Sequence, residues 1–175
     1  MSHTMTANGA TPSLVKLAEL EQLLPSLAQQ YHRLAIVVGR VGSGKTPLLK
    51  ELCRKHAIPY LNVNLALSQR LLELTSQERP LRVRRLLDDT VAGVVSNGVN
   101  EQKRDVIALD NIELLFDPAL HQDPLALLQS LSRNRTLVVA WGGVYDEKRT
   151  LSYAEPGHPE YRRYERPEGI FIAMP

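Results

Sequence analysis

The sequence predicts an α/β domain: a mainly parallel, five-stranded sheet with helices on both faces. Three observations point there. Short apolar runs alternate along the chain with helical patterns, as in parallel strands joined by crossover helices. A glycine-rich stretch, Gly39-Arg40-Val41-Gly42-Ser43-Gly44-Lys45-Thr46, joins the first such run to the helix after it. An aspartate, Asp110, ends a later apolar run. A parallel strand delivers such a carboxylate to the sheet edge where ligands bind.

Composition bounds the rest. A chain of 175 residues suits one domain with a sizeable core. Hydrophobic residues at 43% and charged residues at 23% are ordinary for a globular protein. The formal charge of +2 excludes a general affinity for polyanions, so any basic footprint is local. Cys53 is the only cysteine, which excludes an internal disulfide and a cysteine-based metal site. On the helix after the glycine loop it reads as a small buried apolar residue. No run approaches the roughly 18 apolar residues of a membrane span. The first residues lack a charged-then-apolar leader pattern. A cytoplasmic protein without membrane contact is expected.

Residues 1–12 are small and polar and are expected to form a disordered tail ahead of a domain at 13–175. Leu14, Leu17, Leu20, Leu24 and Leu27 recur at helical spacing, with Pro25 expected to break or kink the helix. Residues 34–38 read as a buried parallel strand. The helix after the loop carries Pro47, tolerated because a first-turn N–H has no helical partner. Residues 58–64 read as a second strand, with Pro59 at its entrance. Helices follow at 65–74 and from Leu81 to near Asn97-Gly98, separated by a break at Glu78-Arg79-Pro80. Residues 100–104 are a polar connector. The third strand is 105–110, and 124–131 is a helix. The fourth strand, 136–141, is expected to stop at Gly142-Gly143. The polar segment 144–167 reads as a long structureless loop, whose length suggests function or mobility. Residues 169–173 form the last strand.

The loop fits G-x-x-x-x-G-K-[ST] at every fixed position, between a strand and a helix. Its glycines let successive N–H groups turn toward phosphate oxygens, and the new helix aims its positive end at the same spot. All eight residues, Gly39 to Thr46, are nucleotide-binding candidates. Lys45 supplies a charge for the β- and γ-phosphates, and the Thr46 hydroxyl is suited to ligate Mg²⁺. Asp110 is the second candidate for the metal, directly or through water. The intervening strand points to those P-loop proteins in which another strand separates the two nucleotide-site strands in the sheet. Such proteins usually place a catalytic glutamate directly after the aspartate. Here Asn111 stands there, and Glu113 is the next carboxylate; both are catalytic candidates, although an asparagine is a poor base. Asn62 and Asn64 end the second strand and read as helix caps before nucleotide contacts. Trp141 ends the fourth strand, where related ATPases often carry a polar sensor; it reads as a core or rim aromatic. Arg79, Arg82, Arg84 and Arg85 form one basic cluster. Tyr161-Arg162-Arg163-Tyr164-Glu165-Arg166 interleaves aromatic and basic residues. That segment suits weak contact with single-stranded DNA, a phosphate, or a plain solvated loop. Arg149, Arg162, Arg163 and Arg166 are candidates for an arginine finger.

On both nucleotide elements the chain resembles AAA+-like P-loop ATPases. More narrowly it resembles the BrxF family, small P-loop proteins of type 3 BREX phage-defence systems. That resemblance rests on the Gly39 to Thr46 loop, on Ile58-Pro59-Tyr60-Leu61-Asn62-Val63-Asn64 with Leu65-Ala66-Leu67-Ser68, and on Leu109-Asp110-Asn111-Ile112-Glu113-Leu114-Leu115-Phe116. It implies an ATP-binding protein, with Mg²⁺ and ATP as cofactors, working beside other BREX-type defence proteins and able to form a homo-oligomer. The chain stops just after the fifth strand, so no helical lid is expected. Three functions stay open: an ATPase stimulated by an oligomer or a partner, a nucleotide-dependent switch or adaptor without turnover, and a small-molecule kinase whose lid is 144–167.

Overall fold

The run at 34–38 is buried at every position because it lies inside the sheet. In the computed structural model, which describes residues 11–96 and 105–175, it forms β1 (Leu34–Gly39). β4 (Thr136–Tyr145) and β7 (Ile170–Ala173) flank it, both parallel to it. β3 (Val106–Asp110) pairs with β4, and β2 (Tyr60–Asn62) with β3, again in parallel. The parallel order is β2-β3-β4-β1-β7. β4 thus separates the strand of the glycine loop from the strand of Asp110, as the P-loop pattern implied.

Alternate residues of each central strand serve two cores. Leu34, Ile36, Val38, Leu137, Val139 and Trp141 pack with α3 (Val63–Leu72), α4 (Glu78–Ser96) and α5 (Pro124–Leu131). Ala35, Val37, Val138 and Ala140 pack with α1 (Thr11–Leu27) and α2 (Lys45–His56). Helices therefore cover both faces. α1 buries Leu17, Leu20 and Leu27, each contributing about 1.5–3 kcal/mol. Pro25 falls in its last turn, and the helix continues through it to Leu27 without the break that was one of the two expected outcomes. α1 also begins at Thr11, inside the segment expected to be a tail; the rest of that segment lies outside the described residues.

Local chemistry moves other boundaries. β2 ends at Asn62 because the Asn62 side chain accepts the Leu65 N–H at 3.0 Å and starts α3 there. α4 begins at Glu78, where a break was expected. Thr75 and Glu78 cap each other: Thr75 N–H donates to Glu78 Oε2 at 2.9 Å, and Glu78 N–H to Thr75 Oγ1 at 3.3 Å. Pro80 sits in the first turn, where it costs no hydrogen bond. The expected helix end at Asn97-Gly98 and the connector at 100–104 lie outside the described residues.

The largest correction concerns 144–167. β4 does not stop at Gly142-Gly143, and the segment after it is not structureless. β5 (Thr150–Tyr153) pairs antiparallel with the end of β4, and β6 (Arg162–Glu165) with β5, which brings the sheet to seven strands. Only glycine permits the approach at the bend: a Cβ on Gly143 would lie 1.9 Å from Ser152 O. The ribbon folds back over the sheet. Tyr153 stacks on Phe116 with centroids 3.5 Å apart, and Trp141 Nε1–H donates to Ser152 O at 3.0 Å. Tyr145 stacks on Phe171 at 4.7 Å, and Tyr164 OH donates to Asp123 Oδ1 at 2.8 Å. Leu151 is fully buried. Aromatic packing of this kind anchors the segment rather than leaving it as a loose lid.

Candidate nucleotide site

β1 ends at Gly39 and α2 begins at Lys45, so the glycine loop spans the carboxyl edge of the sheet. Gly42 and Gly44 take left-handed backbone, with φ of 79° and 92°, which turns the chain back into the helix. Thr46 is thereby placed on the first turn of α2. Its hydroxyl donates to Asp110 Oδ2 at 2.7 Å. Asp110 is only 4% exposed. Its Oδ2 also accepts from Tyr60 OH at 2.8 Å, and its Oδ1 from the Asn111 N–H at 2.8 Å. Donors of this kind offset the cost of burying a carboxylate.

Lys45 is folded over its own loop. Its Nζ donates to Gly39 O at 2.7 Å and to Arg40 O at 2.8 Å, with Ser43 Oγ at 3.4 Å. Burial lowers its pKa, while the charges of Asp110 and Glu113 oppose that shift. Tyr60 titrates well above an ordinary phenol, first through burial and then through its bond to Asp110. Val41 stands at the loop tip, 99% exposed.

Beyond Asp110 the chain turns sharply. Asn111 has φ of 51°, and its carbonyl accepts the Asn64 N–H at 2.9 Å. A 3₁₀ turn (Glu113–Phe116) follows. Asn64 Nδ2 donates to Glu113 Oε2 at 3.1 Å, and Asn64 Oδ1 accepts the Leu114 N–H at 2.8 Å. Asn62 is the helix cap, as read; Asn64 instead braces the turn that carries Glu113. Trp141 is wholly buried and packs edge-on against Phe116 at 5.0 Å, a core aromatic.

Sequence reasoning missed the roles of Tyr60 and Asn64. Tyr60 pairs with Ala108 and Asn62 with Asp110, which puts Tyr60 beside the aspartate's strand and Asn64 two residues beyond the pair that holds Asp110.

The four finger candidates divide between the two edges of the sheet. Gly39 lies opposite Gly142, Gly143 opposite Tyr153, and Tyr153 opposite Arg162, so Arg162 sits toward the loop edge. Arg163 follows it, paired with Glu165 at 2.8 Å. Arg149 and Arg166 line a cleft with His32 and Ile170, at the amino edge of β1 and β7. Tyr164 points inward, so the interleaved segment offers no free aromatic at that position. In the other basic cluster, Arg82 and Arg85 pair along α4 with Glu78 and Asp89, at 4.0 and 3.8 Å.

The group set suits a hard cation with a phosphate: a hydroxyl, a carboxylate, an ammonium and the backbone of a glycine-rich turn at a helix start. Among the described residues, no group of three or more His, Cys, Asp or Glu side chains is placed to hold a metal alone. A Mg²⁺ ion would rest on Thr46, Asp110 and the phosphates themselves. No helix among the described residues is long and apolar enough to cross a membrane.

No protein-family profile matches the chain, and no curated protein matches its sequence. Among solved structures, that of C. elegans PCH-2 is similar at a TM-score of 0.41 and 14% identity. The match covers 82% of this chain but 38% of that one, so this chain spans well under half of that protein. The topology and the loop, not this likeness, define the fold as an α/β P-loop type.

Proposed function

We propose that this chain binds Mg·ATP at residues 39–46 and serves as the P-loop component of a BREX-type phage-defence assembly. The observation that carries the nucleotide reading is the Thr46–Asp110 pair, 2.7 Å apart at the edge where the loop opens. Resemblance at the three quoted stretches carries the defence role. On this reading the phosphates displace the Lys45 ammonium from the Gly39 and Arg40 carbonyls, and Thr46 and Asp110 hold the metal. The bound metal would offset phosphate charge and orient the γ-phosphate.

ATP-dependent thermal stabilisation tests it. At a hundredfold excess over Kd, a ligand of the native state adds about 2.7 kcal/mol, a rise of about 5–10 °C for a domain of this size. Lys45→Ala is expected to lose that rise and keep its own melting point. Equal stabilisation of variant and parent refutes the site.

A second reading, a switch that binds without turnover, draws support from Asn111. The residue after Asp110 is no base, and the next carboxylate along the chain, Glu113, is already held by Asn64. Phosphate release from ATP without any acceptor favours an ATPase; stabilisation without release favours the switch. The kinase reading loses its motive, since the segment taken as a lid is a packed ribbon.

A further inference from the structure

A second surface lies at the amino edge of the sheet, away from the glycine loop. Tyr31 stands three residues before β1 and is 69% exposed. Its ring is nonetheless held. The His32 imidazole packs edge-on at 4.8 Å, and the Arg133 guanidinium lies over the ring, 5.1 Å from its centroid. These neighbours are braced in turn. His32 Nδ1 pairs with Gln129 O at 3.1 Å and its Nε2 with Glu168 at 3.0 Å. The Arg133 carbonyl accepts from Arg33 Nη2 at 2.9 Å.

Beside Tyr31 opens a cleft of about 350 Å³ that Arg149 and Arg166 line. Both residues hold left-handed backbone, with φ of 65° and 46°, uncommon for arginine. The Arg166 N–H donates to Arg149 O at 2.8 Å, so the two are fixed side by side. A second cleft, about 470 Å³, continues from His32 past Arg133 to Arg84. The carboxylates along these two clefts are engaged: Glu168 by His32, and Asp123 by Tyr164 OH and the Ala126 N–H. The result is a row of arginines around one exposed, pre-positioned ring.

We propose that this edge binds single-stranded nucleic acid. Tyr31 stacks on a base, and Arg133, Arg149 and Arg166 follow the phosphates. An exposed ring can stack only on an unstacked base, which a duplex does not offer. The small net charge of the chain and the few arginines at this edge keep the affinity modest and the dependence on salt shallow. The site goes beyond the nucleotide reading and does not depend on it.

Fluorescence anisotropy of the full chain with labelled oligothymidylate and oligouridylate, about 12 residues each, tests the proposal. Binding is expected with a log–log salt slope of about −2, as for roughly three phosphates neutralised. Tyr31→Ala should weaken it about fivefold or more, whereas Tyr31→Phe should keep it. Replacing Arg149 and Arg166 together with Asn, which tolerates left-handed backbone, should weaken binding and flatten the slope. Lys45→Ala should bind both oligonucleotides like the parent, so failure of the ATP site leaves this result standing. The tighter of the two oligonucleotides identifies the source as DNA or RNA. Binding of neither, a folded Tyr31→Ala protein as tight as the parent, or a duplex of equal length bound equally well each overturns the proposal.

Discussion

Asp110 concentrates the residue-scale argument, because one buried carboxylate is shared by three donors: Thr46 on α2, Tyr60 on β2 and the backbone of Asn111. Tyr60 contributes a hydrogen bond to a charged acceptor, worth about 1.5–3 kcal/mol. Tyr60→Phe is expected to lower stability by about 2 kcal/mol, read as a fall of several degrees in melting temperature. The ATP-dependent rise should survive, since loop and lysine are untouched. The pH dependence has a definite sign. The Tyr60 phenol is raised in the folded state, by burial first and by Asp110 second. Its contribution is therefore complete below the unfolded value of 10.0 and fades as pH rises through the folded value. The gap between parent and Tyr60→Phe should narrow above about pH 10; a gap that widens there contradicts the assignment. Cys53 adds to the alkaline loss, because burial pushes its thiol from 9.0 to about 11. The glycine loop and Asp110 were legible in the sequence because each is a local pattern. The Tyr60–Asp110 and Asn64–Glu113 contacts were not, because they join residues 50 and 49 apart.

Among elements, legibility followed burial. β1 and β3, covered on both faces, read as continuous apolar runs, and β7 as a shorter one. α3 and α4 started where Asn62 and the Thr75–Glu78 pair capped them, signals the residue types already carried. β5 and β6 escaped because each has four residues and their aromatic packing partners, Phe116 and Trp141, come from other parts of the chain. The alternation was there: Leu151 and Tyr153 face in, and Tyr164 packs in while Arg163 and Glu165 face out. Without Gly143 and the aromatic wall, that alternation cannot be told from a solvated loop. α2 offers an element-scale prediction. It ends at Ala57 in left-handed backbone, φ 52° and ψ 41°, a conformation that glycine adopts without a Cβ penalty. Ala57→Gly is expected to stabilise the protein by about 0.5–1 kcal/mol after the entropy cost of the unfolded glycine. Calorimetry should show a rise of about 1–4 °C. An unchanged or lower midpoint would mean that the Ala57 methyl contributes packing that outweighs its strain.

For the whole molecule, the two proposed sites lie at opposite edges of the sheet. The carboxyl edge holds the loop, Asp110 and, through the ribbon, Arg162; the amino edge holds Tyr31, Arg149 and Arg166. Turnover by an isolated chain should be slow, since Asn111 follows Asp110 and Asn64 engages Glu113. An arginine supplied by a neighbour can raise a rate by roughly 10³ to 10⁵. Arg162 and Arg163 are the better placed pair, on the outermost strand of the ribbon, with Arg163 54% exposed and paired with Glu165. A homo-oligomer in which this strand meets a neighbour's loop would act in trans, and its specific activity would rise with protein concentration. Mixing separates that mechanism from every cis alternative. Lys45→Ala protein keeps its arginines but cannot use ATP. Protein with both Arg162→Ala and Arg163→Ala keeps its loop but offers no finger. Each alone should be slow, and their mixture should recover turnover. The same experiment with Arg149→Asn and Arg166→Asn should show no such complementation, because that pair stands at the other edge and its loss should leave ATP turnover unaltered. Fast hydrolysis by the parent at dilutions where it sediments as a monomer would show that the chain completes its own site, and the trans mechanism would fall.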